Sequence, residues 1–177
     1  MRNPVFDRFW VELESGYISS GVSVRTPIFY GEWAFSVLIN RKHPQGVLQR
    51  ASAELALKNK GNWEDLIDFD LLSHRENEKW VYRSISYSGN SRILLHLSRF
   101  GRDRTVVREF DLETKKFVAD GFQLNEGRSF AYYLDQNTVA YLDPSQTQVR
   151  IWRRGERPGG DQEVLRIKDP GSTLFLA

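Results

Sequence analysis

The sequence predicts an all-β protein built from about three four-stranded antiparallel units. Three observations predict it. From Thr26 onward, apolar residues recur with a period of two in short runs such as WAFSVLI, WVYRSISY and TVVREFD, the spacing of strands with one covered face. Tight polar turns, among them Ser88-Gly89-Asn90, Gly101-Arg102-Asp103 and Asp135-Gln136-Asn137, separate the runs. The first strands of successive units begin at Trp33, Trp80 and Phe130, roughly 47 to 50 residues apart, which suits four-stranded propeller blades. One blade is too thin to bury both faces and must stack on a neighbour. Three blades do not close a ring, so the expected architecture is a partial, open β-propeller.

Residues 1–24 read as a helical or irregular lead-in. Phe6, Phe9, Trp10 and Leu13 fall at helical spacing, which predicts a short N-terminal helix ending near Gly16. The propeller follows over 25–170, with blades at about 28–70, 80–122 and 130–168, and a tail at 171–177. In the first blade Trp33 to Ile39 is a strand entered through Gly31. A turn over 41–46, punctuated by Pro44 and Gly46, leads to a returning strand at 47–51. Ser52 is placed to cap a short helical insertion, AELALK, before a strand over 63–68. Asp70 is placed to cap one further turn around Leu71 and Leu72.

The second blade is cleaner. Strands are expected at 80–87, 92–98, 105–111 and 116–118. The third repeats the grammar at 130–134, 138–142, 148–153 and 163–168, with a longer turn over 155–160. Each unit ends near an acidic residue: LIDFD, FVADG and RIKDP.

Composition narrows the function classes. With 40% hydrophobic and 27% charged residues the chain is ordinary for a globular domain, and 13% aromatic residues favour packed sheets. No window approaches the roughly 18 apolar residues of a membrane helix, so no membrane partner is expected. The N-terminal MRNPVFDRFWVELESG has no apolar core of a secretory signal, and a cytoplasmic location is the expectation. Cysteine is absent, which removes disulfides and thiol chemistry. A net charge of +2 is far from the load of a dedicated nucleic-acid binder, and no nucleic-acid partner is expected.

No residues assemble into a catalytic, cofactor or metal signature, so no catalytic, cofactor-binding or metal site is assigned. G-x-S-x-G, which exposes a serine at a strand-to-helix turn, does not occur. Gly21-Val22-Ser23 and Gly89-Asn90-Ser91 read as turn residues. No phosphate loop or G-x-G-x-x-G is present. His43, His74 and His96 are scattered and lack ligand spacing, so each reads as a surface or half-buried structural histidine. Glu64, Asp65, Asp68, Asp70, Glu76 and Glu78 read as caps and strand-edge charges rather than paired acids. Basic residues interleave with aromatics at Arg99–Arg104 and Arg150–Arg154, a pattern used for single-stranded nucleic acid. Asp103, Glu109, Asp111 and Glu156 lie among them, so these segments read as a solvated strand face, with Trp152 as a core or inter-blade anchor.

Several segments taken together carry a family resemblance. HPQGVLQRAS, WEDLIDFDLL, ENEKWVY, LSRFGRDRTVVREFDLETKKFVADGF and VRIWRRGE occur in one order across roughly residues 25–155. In that order they resemble the N-terminal β-propeller of the prolyl oligopeptidase family of serine peptidases. The segments are strand and turn signatures, not catalytic ones. The match departs from the family in two places. The Gly- and Ser-rich loop that usually precedes the WRRG strand is missing, and the chain stops at Ala177 after about three blades, with a tail, GSTLFLA, that resembles nothing in the family.

The resemblance implies a seven-bladed propeller followed by an α/β-hydrolase domain, whose serine, aspartate and histidine would lie beyond Ala177. A truncated or split gene, or gene decay, would explain that length. By resemblance, the propeller's role is to gate short peptides toward the hydrolase. The expectation is therefore a non-catalytic portion of such a peptidase, not an enzyme alone and without a cofactor. A separately encoded remainder of the propeller and hydrolase is the implied partner. The alternative is a stand-alone β-meander module that forms a homo-oligomer through its open sheet edges.

Overall fold

The computed structural model describes residues 23–58, 60–143, 147–156 and 161–166. The helix expected around Phe6 to Leu13, the tail at 171–177 and the end of the last expected strand lie outside them. The chain divides after Asp70 into two compact units.

Among the described residues, the first unit holds one antiparallel sheet. Its strands are β1 (Ser23–Val24), β2 (Ile28–Tyr30), β3 (Trp33–Ile39), β4 (Val47–Ser52) and β5 (Glu64–Asp68). β3 pairs with β4 on one side, and on its other side with β1 at one end and β2 at the other. The outer strand is thus split in two. β3 buries Ala34, Phe35, Ser36 and Val37 in succession, so both of its faces are covered, against the half-solvated face its alternation suggests. Gly46 introduces β4 with φ +96°, and a Cβ there would meet Val37 Cγ1 at 2.7 Å. Only glycine satisfies both the backbone and the space.

Two helices are present among the described residues of this stretch. α1 (Ala53–Leu57) begins after Ser52, but the Ser52 side chain makes no capping hydrogen bond; the Ala53 amide donates instead to the Glu32 carbonyl. α2 (Phe69–Glu76) is two turns long where one was expected. Asp70 is inside its first turn, and it is Asp68 whose carboxylate accepts the Asp70 amide hydrogen at 2.9 Å.

Among the described residues, the second unit holds two sheets. One contains β6 (Trp80–Tyr87), β7 (Arg92–Arg99), β8 (Thr105–Asp111), β9 (Lys116–Phe117) and β10 (Gln123–Gly127). Here β9 and β10 both pair with β8, so the outer strand is again split. The other contains β11 (Ala131–Asp135), β12 (Thr138–Leu142), β13 (Gln148–Arg153) and β14 (Gln162–Arg166) in meander order. β10 was absent from the sequence reading, because QLNEG offers neither apolar alternation nor strand-forming residues.

β7 is buried from Ile93 through Ser98. Register with β8 places Leu94 and His96 opposite Glu109 and Val107, so these four share one face. Leu94 and Val107 join Phe122, Ala131, Val139, Tyr141 and Trp152 in one apolar cluster that links the two sheets. The Phe122 ring lies 5.3 Å from Tyr141 and 5.4 Å from Trp152, centroid to centroid. Trp152 is thus the inter-sheet anchor that its sequence position suggests.

Candidate functional site

The three histidines meet different environments. His74 is exposed on α2. His43, in the turn before β4, lies with Nδ1 2.7 Å from an Asp68 carboxylate oxygen. Ligating atoms of His43, Asp68 and Asp70 converge within 4.8 Å, a grouping hidden by their separation in sequence. Their other contacts explain the grouping structurally. Asp70 accepts the Gln45 amide hydrogen at 3.0 Å, Asp68 accepts that of Asp70, and the Phe69 amide donates to the Gly46 carbonyl. Together they fasten the turn over 41–46 to the β5–α2 junction.

His96 corrects the expectation of a surface or half-buried side chain, being 2% exposed. Its Nε2 lies 3.0 Å from the Ala131 carbonyl. A carbonyl only accepts, so Nε2 carries the proton in the neutral ring. Burial lowers the His96 pKa to about 4, against the smaller upward pull of that hydrogen bond.

Glu109 is a second correction. Read as one charge of a solvated strand face, it is 2% exposed. Its carboxylate accepts the Phe122 amide hydrogen at 2.9 Å, the Tyr133 hydroxyl and an Arg154 Nη2 hydrogen. It therefore ties β8, the turn before β10, β11 and the end of β13 together. Burial first, then the hydrogen bond to Glu109, raises the Tyr133 pKa well above its ordinary value.

The basic and aromatic segments do not form a one-signed stripe. Arg99 pairs with Glu78 at 2.7 Å and Glu126 at 3.0 Å, and Arg153 approaches Glu156. Arg150 donates to the Asp161 carbonyl and the Gln148 side chain.

A groove of about 450 Å³ lies where β6, β7 and β8 approach the connection between β10 and β11. Arg83 and Ser84 of β6 line one side. His96 and Thr105 form its buried part, and Asp103, Arg128, Ser129 and Phe130 complete the lining. The Thr105 hydroxyl donates to the Ser129 carbonyl at 3.1 Å. Arg128 holds Asp103 at 2.7 Å, and this contact keeps the Asp103 carboxyl below its ordinary range. Arg83 and Arg128 stand 45 positions apart with no local pattern, so the sequence alone does not bring them together.

The antiparallel meanders define this chain as propeller blades, and the comparisons with known proteins give the family. The family model described as "Prolyl oligopeptidase, N-terminal beta-propeller domain" matches residues 20–177. The chain belongs to the prolyl oligopeptidase family through this domain. The match runs through residues 171–177, against the expectation that this tail resembles nothing in the family. An uncharacterized peptidase of Rickettsia prowazekii (strain Madrid E) is 32% identical over 171 residues, covering 85% of this chain and 24% of that protein. One of Sinorhizobium fredii (strain NBRC 101917 / NGR234) is 34% identical over 139 residues, covering 76% of this chain and 18% of that protein. A solved post-proline cleaving enzyme from Rickettsia typhi superposes with a TM-score of 0.70 at 26% identity, over 93% of this chain and 26% of its own. The chain thus spans about a quarter or less of the relatives it matches. No helix among the described residues is long and apolar enough to cross a membrane.

Proposed function

We propose that this chain is the non-catalytic N-terminal portion of the propeller of a prolyl oligopeptidase-like serine peptidase, and that it helps gate short peptides toward a hydrolase domain. The observation that carries this reading is the family match over residues 20–177, on a chain that covers only 24% of its Rickettsia prowazekii relative. It would act together with the further blades and the hydrolase that a peptidase of this family carries, in the cytoplasm.

The test is reconstitution. The purified chain alone should not cleave a proline-containing fluorogenic peptide. Mixed with a separately produced peptidase portion lacking these blades, it should favour short peptides over an unfolded protein substrate. Cleavage by the chain alone, abolished by a serine-directed inactivator, would overturn the reading. So would size selectivity that does not change when the chain is added.

A second reading, a stand-alone assembly module, is favoured by β14. Among the described residues that strand is the edge of its sheet, and it is exposed at every position, the kind of edge that pairs with another chain. A concentration-independent monomer in light scattering would remove it.

A further inference from the structure

We propose that the groove at Arg83 is a carboxylate-binding site for a short peptide, with Arg83 as the pairing cation. Arg83 is exposed and has no partner among the described residues, whereas Arg99, Arg108 and Arg128 of the same unit are each paired with a carboxylate. A free guanidinium on a groove wall presents a planar fork that matches two carboxylate oxygens. Ser129 supplies an independent observation. It lines the groove, is 1% exposed, and its Oγ is buried without a hydrogen-bond partner among the described residues. A buried hydroxyl in that state costs free energy until a ligand or an ordered water satisfies it.

Charge selects the class of anion. Asp103 offsets Arg128, and His96 is uncharged near neutral pH, so one positive charge stays uncompensated. A singly charged carboxylate fits that balance better than a phosphate dianion. Size and surface select the carrier. About 450 Å³ is far more than a lone ion needs and lies within the range of small-ligand sites. Phe130, 41% exposed on the rim, offers an apolar surface to the carbon chain beside the carboxylate. The choice of a peptide as carrier rests on the gating reading above.

The experiment is isothermal titration of the 177-residue chain with N-acetyl-Ala-Ala-Ala bearing a free C-terminus, the same tripeptide as its C-terminal amide, N-acetyl-Ala-Glu-Ala amide, and inorganic phosphate. One or both carboxylate peptides should bind, the tri-alanine amide should not, and the tighter carboxylate tells whether a chain end or an acidic side chain is read. Arg83→Gln, at an exposed position, should keep the circular dichroism spectrum and weaken binding roughly tenfold or more, the loss of one charge-assisted pair. Ser129→Ala should weaken it less. Absence of binding, equal binding of the amide, an unaffected Arg83→Gln variant, or tighter binding of phosphate would overturn the proposal. Because no hydrolase domain is present in this measurement, its failure leaves the reconstitution test of gating untouched, and the reverse holds.

Discussion

The Tyr133 hydroxyl of β11 donates a hydrogen bond to the buried Glu109 carboxylate of β8, joining two neighbouring sheets through a polar contact inside an apolar interface. Arg154 and the Phe122 amide complete the shell around that carboxylate. Removing the acceptor strands a cation, a hydroxyl and an amide together. Glu109→Ala should therefore cost about 3–5 kcal/mol, as breaking a buried pair does. Tyr133→Phe should cost about 1–3 kcal/mol. Urea unfolding of both variants and of the double variant measures their coupling, and strict additivity would contradict the network.

Gly121 is also tied to Glu109. A Cβ at that position would collide with Glu109 Oε2 and stand 2.8 Å from Val118 Cβ. Gly121→Ala should therefore destabilise by about 1–3 kcal/mol through overpacking. A midpoint unchanged in denaturant would show that the turn before β10 yields freely.

His96 should give stability a pH dependence. Its folded-state pKa of about 4 lies below the ordinary 6.5, so between those values the unfolded chain binds more protons. Stability should fall as pH drops through that window, by at most about 1.4 kcal/mol per pH unit from this group. Asp103, Asp111 and Asp135, all held below the ordinary carboxylate range, titrate below it. Chemical denaturation at several pH values should show a shallower slope in His96→Gln than in the parent, and equal slopes would exclude His96 as the cause.

Stability should be concentrated in β7 and β8. Leu95 is fully buried, and Leu95→Ala should cost about 2–5 kcal/mol. Leu165 on β14 is 50% exposed, and its truncation should stay within about 0.5 kcal/mol. Native-state hydrogen exchange should find β7 amides among the slowest and β14 amides among the first to exchange. Uniform protection across both strands would refute this ordering.

Local pattern alone determined much of the strand layout. The bounds of β3, β6, β8, β12 and β13 are those expected from their apolar runs and flanking turns, because a strand with dense apolar and β-branched residues needs little context to be recognised. The family was legible for the same reason, since its signatures are these strands and turns in order. β1, β2 and β10 were decided by tertiary structure. Each is a short piece of an outer strand, extended because a strong neighbour offers it free hydrogen-bonding groups. The groupings that carry chemistry were also tertiary. Glu109 with Tyr133 and Arg154, His43 with Asp68, and Arg83 with Ser129 are each brought together by sheet pairing or sheet packing over 24 or more positions. Burial decided the rest: Glu109, which reads as a solvated charge, and His96, which reads as surface or half-buried, become interior groups once both faces of the sheet are covered.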